Sequence, residues 1–504
     1  MMDKKKGIIN VTVSVFFRII FLAANFLARR FLIKVLGNEY NGLNSLYMSL
    51  LEFLSVAELG VGTAITYCMY KPIVEGDNDK VSALYGLFVK FYFVVGAVIL
   101  IAGCALMPFL KIFAKDYESL DTNLYLTFGL CLISVVLSYA FSAKSSLINA
   151  YKNNYITTTI YSLGIIFQCV LQVIVLIVTR SFIAYVSCRI GAVVFQWIAT
   201  EIVTRKKYSG ILKNRRKSDK ETNKEVVKNA KAMFMHKIGA VLVNTSDSVI
   251  ISTFIGIVIL GKYSNYIVIA SALSMLLSFF FTPLSSVIGH MYVESKEESA
   301  RYHKFFHTFN FMLGMVFFLG YYAVIDPFIG IVFGDDLELA KVISLVITID
   351  YFVQFMRNAT WLFKDATGTF YNDRWKPLVE GAFNIVLSIL FVLIFPDEYK
   401  VVGVIVATII TNLFICHVVE PYVLFKHALN RSPVKYYIRN YAYIAVFVGA
   451  LFLLDFCTVS FGNKWLDLLV NGFIAVGIAL AVCLATLFID KDTRYYLKKH
   501  FLKR

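Results

Sequence analysis

The sequence predicts an all-α polytopic membrane protein of about fourteen transmembrane helices. Composition is the first observation behind this. Of 504 residues, 59% are hydrophobic and 16% charged, with a mean hydropathy of +0.70. Soluble domains lie nearer roughly 45–50% apolar and about 25% charged. The second observation is a series of apolar runs, each about 18–28 residues long, enough to span ~30 Å of hydrocarbon as helix. The third is an internal repeat. Open strands leave backbone groups unsatisfied in lipid, so the spans are helices.

The runs centre near residues 20, 57, 97, 133, 167, 193, 244, 273, 314, 351, 386, 412, 447 and 477. The first, in "MMDKKKGIINVTVSVFF", has the charged start of a signal peptide. Its apolar stretch continues past Arg18 to Ala28 without a small-residue cleavage site, so an uncleaved first span is expected. The 45 Phe and 30 Tyr suit lipid-facing surfaces and aromatic belts.

A net charge of +16 raises the question of nucleic acid. The basic residues fall in short gaps between apolar runs, which fits the positive-inside pattern and leaves no nucleic-acid partner to expect. With the N-terminus in the cytoplasm, the inside segments collect Lys4, Lys5, Lys6, Lys71, Lys80, Lys144 and Lys152. They also collect Arg205, Lys206, Lys207, Arg215, Arg216 and Lys217 from the 205–231 loop, and later Arg374, Lys376, Lys426, Arg431, Lys435 and Arg439. The tail "KDTRYYLKKHFLKR" adds more, so both termini are expected inside, and only "RRFLIK" (29–34) runs against the bias. The eight cysteines (68, 104, 131, 169, 188, 416, 457 and 483) have no metal-ligand spacing and read as free buried thiols.

Shifting the chain by 219 residues brings landmarks into register. Gly37 and Gly42 in "GNEYNGLNSLY" fall on Gly256 and Gly261 in "GIVILGKYSNY", and Tyr47 falls on Tyr266. Pro108-Phe109 meets Pro327-Phe328, Asn153 meets Asn372, Glu201 meets Glu420, Arg18 meets Lys237 and Asn25 meets Asn244. Six helices per copy return the chain to the same side, so the copies are parallel. The expected organisation is a first lobe at 1–204, a basic cytoplasmic linker at 205–231 and a second lobe at 232–426. Two further helices and the basic tail occupy 427–504. Lobes so related would enclose a cleft and alternate its access by rocking.

This layout resembles the MOP exporter superfamily. The stretches "LGNEYNGLNSLYMSLLEFLSVAELGVGTAI" and "STFIGIVILGKYSNYIVIASAL" resemble the opening spans of each lobe in its Wzx-type polysaccharide flippases. The resemblance covers essentially the whole chain, through loose Gly and apolar patterns. It implies a non-enzymatic flippase of the bacterial cytoplasmic membrane that moves an undecaprenyl-diphosphate-linked oligosaccharide, coupled to H⁺ or Na⁺. Glycosyltransferases and a polysaccharide polymerase would be its partners. A lipid II flippase and a cation-coupled drug exporter are same-fold alternatives. A polytopic polymerase or ligase would need catalytic groups on sizeable outer loops, which the run spacing does not provide.

Charge within a span costs about 2.5–3.5 kcal/mol on insertion scales and is usually turned toward a cavity. Arg18 lies ~15 Å into the first helix, with Asn25 on the same face. A guanidinium matches a diphosphate by its bidentate geometry, against a structural role bonding carbonyls. Lys237 repeats the position with Asn244 beside it, but lies close enough to the interface to snorkel. Arg189 and Arg357 are further substrate-binding candidates, although Asp350, seven residues before Arg357, offers an internal ion pair.

For ion coupling, Asp247 in "NTSDSVIISTFIG" breaks the repeat, because its counterpart is Ala28. It can carry a proton, help bind Na⁺, or pair with Lys237 or Arg18. Glu52, Glu58 and Asp350 are the other carboxylate candidates. "GIVILGKY" (256–263) imitates a P-loop but has Tyr263 where Ser or Thr should bind magnesium, and no strand precedes it, so no ATP site is expected. His303 and His307, spaced i,i+4 among Lys and Arg, read as a solvated face.

Overall fold

The computed structural model describes residues 2–58, 61–213, 238–239, 241–243, 245–278, 281 and 284–498. The described residues are almost wholly helical and contain no strand. Ten of their helical stretches are long and apolar enough to cross a membrane. Contacts divide the chain into two compact units, Met1–Gly261 and Lys262–Arg504.

The first unit begins with α1 (Met2–Leu36) and α2 (Asn38–Leu54). A 3₁₀ turn, Ser55–Glu58, leads toward α3 (Val61–Glu75). Next come α4 (Asn78–Leu106), the short α5 (Leu110–Phe113), α6 (Leu124–Ala150), α7 (Asn154–Thr179) and α8 (Phe182–Lys213). Residues 205–213 of the basic segment are therefore helical. Asp77 caps α4 by accepting from the Lys80 amide, and Asn123 caps α6 by accepting from Tyr125 and Leu126. Helix α1 packs along α7, while α6 packs against α4 and α8.

The unit ends at a π-helix, Ile251–Ile255, and the start of α9 (Ile257–Ser278). Gly37 and Gly256, matched by the 219-residue shift, both have positive φ, 110° and 140°. Each turns the chain between two helices through a conformation that only glycine adopts without strain. Residues 38–42 then cross residues 257–261 at backbone contact. A Cβ on Gly42 would lie 1.9 Å from the Ile257 carbonyl oxygen, and one on Gly261 would lie 2.5 Å from that of Asn38. Asn38 Nδ2 donates to the Val258 carbonyl at 2.8 Å, and Asn41 Nδ2 to that of Gly261 at 3.0 Å. Under the shift Asn38 becomes Ile257 and Gly42 becomes Gly261, so the crossing looks alike from either side.

In the second unit α9 is followed by α10 (Leu284–Glu294), α11 (Lys296–Phe333), α12 (Lys341–Met356), α13 (Asn358–Thr367) and α14 (Lys376–Ile394). Then come α15 (Lys400–Thr411), α16 (His417–Leu424), α17 (Val434–Cys457), α18 (Lys464–Ile489) and α19 (Lys491–Leu497). The repeat persists at element ends: α9 and α10 open and close at Ile257 and Glu294, each 219 residues after the Asn38 and Glu75 that bound α2 and α3. Helix α11 is the central column, with α12, α17, α18 and α19 packed on it.

Lipid tails are as apolar as Phe, so close packing and buried polar contacts hold these helices together. Phe352 stacks on Phe447 at 3.6 Å and Phe311 on Tyr443 at 4.1 Å. All eight cysteines are free thiols, but only five are buried: Cys68 and Cys457 are half-buried and Cys104 is exposed, because apolar helix faces turned to lipid are not covered by other helices.

Candidate functional site

Three of the expected residues cannot be placed by their side chains. Lys237 and Asn244 lie outside the described residues, and the backbone of Arg18 is described but its side chain is not. Asn25 turns to its own helix, donating to the Phe21 carbonyl at 2.9 Å.

Arg189, half-buried on α8, reaches α2. It donates to Asn44 Oδ1 at 2.9 Å and contacts Met48 Sδ at 2.9 Å, and its Nε is buried without a partner. Both partners are neutral, and among the described residues no carboxylate pairs with the guanidinium, which has donors to spare. Arg357, between α12 and α13, is placed very differently. It donates to Glu420 at 2.6 and 3.2 Å, to Glu380 at 3.2 Å and to Asn412 at 2.6 Å. Lys376 completes the group, 2.5 Å from Glu420 and 2.6 Å from Glu380. Two cations and two carboxylates, all buried, therefore cancel one another. Arg357 is neutralised by carboxylates of two helices of its own unit, α14 and α16, rather than by Asp350. Asp350 accepts from Gln354 at 2.8 Å with its Oδ2, and its Oδ1 is buried without a partner.

The carboxylate candidates of the first unit separate in the same way. Glu58 ends the 3₁₀ turn between α2 and α3, and the buried Tyr92 and Tyr139 hydrogen-bond it. Those two rings stack at 5.9 Å. Gly62 makes room for this arrangement, because a Cβ there would lie 2.5 Å from the Tyr92 hydroxyl. Glu52 is exposed on α2. Asp247 is half-buried and engaged by a neighbour. The two glutamates matched by the repeat share a partner pattern. Glu201 pairs with Lys144 of α6 and Arg205, as Glu420 pairs with Arg357 at the end of α12.

His303 and His307 do not form a solvated face. Both are buried on α11, because the π-helix Phe425–Leu429 and α17 cover its basic first turns. His307 Nε2 donates to Asn440 Oδ1 at 3.1 Å, Asn440 Nδ2 donates to His417 Nδ1 at 3.0 Å, and His417 Nε2 donates to the Val353 carbonyl at 3.0 Å. Just past α18, Asp490 binds Lys304 at 3.2 Å and caps α19. Burial pushes its carboxyl up, but the Lys304 ammonium and the Thr493 donors outweigh this and hold it below the usual range.

Several solved structures share this fold. An inward-closed structure of the lipid II flippase MurJ matches with a TM-score of 0.59 and 14% identity, over 93% of this chain and all of that one. An inward-facing multidrug resistance MATE transporter of the MOP superfamily matches at 0.56 with 11% identity, covering 87% of this chain and 98% of its own. A Vibrio cholerae MATE transporter matches at 0.54 with 13% identity, over 84% and 98%. No protein-family profile matches the chain, and neither does any curated protein sequence. The chain thus has the multi-pass, all-helical fold of MOP-type flippases and transporters.

Proposed function

We propose that this chain is a flippase that moves a polyprenyl-diphosphate-linked oligosaccharide across the bacterial cytoplasmic membrane by alternating access, coupled to a cation gradient. The likeness to MurJ, a lipid II flippase, supports a lipid-linked substrate, and the resemblance of the opening spans to Wzx-type flippases supports an oligosaccharide for surface polysaccharide. The observation that carries the reading is Arg189. It is an arginine in a membrane-spanning helix, its partners are a neutral amide and a thioether, and one of its nitrogens has no partner. A charge left without a carboxylate among the described residues suits an anionic headgroup. It does not suit the cationic substrates of a drug exporter.

Arg18 and Lys237, repeat-related in the sequence, are the further cations assigned to that headgroup. A buried charge-assisted contact contributes roughly 1.5–3 kcal/mol, about tenfold or more in affinity. The test is restoration of surface polysaccharide in a flippase-deficient strain, with membrane levels checked. Arg189→Gln and Arg18→Ala should each restore little, and Arg18→Lys should restore part, since the charge survives without the bidentate fork. Full restoration by a well-expressed Arg18→Ala, Lys237→Ala, Arg189→Gln triple variant would remove the cationic headgroup site. Rescue of a lipid II flippase-deficient strain instead would change the cargo and keep the diphosphate.

A further inference from the structure

We infer that Asp326, on α11, is a proton-carrying site of the second unit. It lies seven residues before the end of its helix, about 10 Å along the axis from the 334–340 loop. Each carboxylate oxygen accepts one hydroxyl: Oδ1 from Tyr266 of α9 at 2.9 Å, and Oδ2 from Ser344 of α12 at 3.0 Å. Among the described residues no cation forms an ion pair with it. Lys341, one turn of α12 away from Ser344, gives its ammonium to Asp455 at 2.6 Å.

The hydrogen-bond partners suit both protonation states without moving a heavy atom. Ser344 Oγ lies 3.0 Å from Asp326 Oδ2 and 2.9 Å from the Lys341 carbonyl oxygen, and it has a single hydrogen to give. With Asp326 ionised, that hydrogen points at Oδ2. When a proton binds Oδ2, the new O–H donates to Ser344 Oγ, whose own hydrogen turns to the Lys341 carbonyl. Tyr266 donates to Oδ1 throughout, because its oxygen is fixed by the Leu339 amide, which donates to it at 3.0 Å. The proton comes from solvent and returns to it, and no bond other than O–H is made or broken.

Glu420 has no such freedom. Its partners are cations, which can only donate, so protonating it would strip two ion pairs.

The repeat isolates the feature. The position matched to Asp326 holds Met107, and Tyr47, matched to Tyr266, donates instead to the Leu124 carbonyl at 3.0 Å. The matched tyrosines therefore donate to an ionisable group in one copy and to a backbone carbonyl in the other. The titratable and charged groups around it are Tyr266 on α9, Tyr321 and Tyr322 on α11, Glu338 and Asp335 in the loop, Lys341 on α12, Asp455 on α17 and Lys464 on α18. Lys464 is itself paired with Asp335 and Glu338.

What the proton drives rests on the flippase reading; the proton site does not. The full chain, reconstituted in liposomes, is compared by infrared difference spectroscopy between neutral and mildly acidic pH. Wild type should show the carbonyl stretch of a carboxyl that gains a proton. Asp326→Asn should lose that band, and Ser344→Ala should displace it. An unchanged band in Asp326→Asn, or no band in wild type, overturns the site. In the same liposomes, a fluorescent polyprenyl-diphosphate disaccharide should move faster under a pH gradient, by at least about fivefold. Asp326→Asn should move it at the ungradiented rate only. A variant accelerated as wild type is would again overturn the proposal. Wild type that moves no lipid but shows the band would sink the flippase reading and leave the proton site standing. If Asp326→Asn is poorly made, Tyr266→Phe replaces it: it removes a hydrogen bond that is stronger to the ionised carboxylate than to the neutral acid, so the pH midpoint of the band should shift upward, and an unmoved midpoint contradicts the assignment.

Discussion

Replacing Glu420 by Gln in the buried four-charge group should be among the most damaging single changes in the second unit. Glu420 accepts from Arg357 at 2.6 and 3.2 Å and from Lys376 at 2.5 Å, with 2% of its side chain exposed. Its loss leaves two buried cations facing Glu380 alone. Breaking a buried pair by removing one partner costs about 3–5 kcal/mol, mostly the penalty of the stranded charge. The group divides cleanly, because Lys376 and Glu380 lie 2.6 Å apart at i,i+4 and can neutralise each other. Removing Arg357 together with Glu420 should therefore recover much of the loss. In a double-mutant cycle, Arg357→Met with Glu420→Gln should be more stable than Glu420→Gln alone, with a coupling of about 1–3 kcal/mol. The assay is SDS-driven unfolding of purified protein in mixed micelles. Because the group is internally neutral, the double variant should also keep transport. Additive losses would refute the coupling, and a stable double variant without transport would return Arg357 to the substrate site.

Three further outcomes are expected. A phosphatase reporter fused after Arg504 should be inactive and one near Asp335 active; an active C-terminal fusion would contradict an even number of spans. Gly42→Ala should destabilise the first unit by about 1–3 kcal/mol, because its Cβ would sit 1.9 Å from the Ile257 carbonyl oxygen. Gly449→Ala, which meets nothing within 4 Å, should be neutral in the same SDS titration. Asp247→Asn should keep lipid binding but weaken the dependence of transport on the gradient. If that dependence survives, Asp247 is structural and Glu58, held by Tyr92 and Tyr139, is the next carboxylate to replace.

Run length and the 219-residue shift were enough to read the helical architecture, because both depend on local pattern. Gly37 and Gly256 stood out in the sequence for the same reason that they take positive φ: no other residue fits the turn. Side-chain partners were harder to read. Arg357 was matched with Asp350 by shared helix face, yet seven residues are about 10 Å of axial rise, too far for an ion pair. Its partners lie 23 and 63 residues away on other helices, and single-sequence periodicity cannot reach that far. A clue to Glu420 existed in its alignment with Glu201, since both bind a cation from the corresponding helix. The Lys and Arg neighbours of His303 and His307 point to a solvated face, yet both histidines are buried. Tyr302, Phe305 and Phe306 on the remaining faces were the signal that this stretch of α11 is packed all round. Asp326 carries no local signal in the sequence, because its meaning lies in Ser344 and Tyr266, which only the fold brings to it.

The claim at the centre of this account is that the chain moves a lipid whose headgroup is an anionic diphosphate. The direct measurement is flipping of a fluorescent polyprenyl-diphosphate disaccharide by purified protein in liposomes, read as protection from a membrane-impermeant quencher. Wild type should flip it, and Arg189→Gln should slow the rate by about tenfold or more. A neutral polyprenyl glycoside without the diphosphate should not move. Equal transport of the neutral lipid, or no transport of either, would contradict the account.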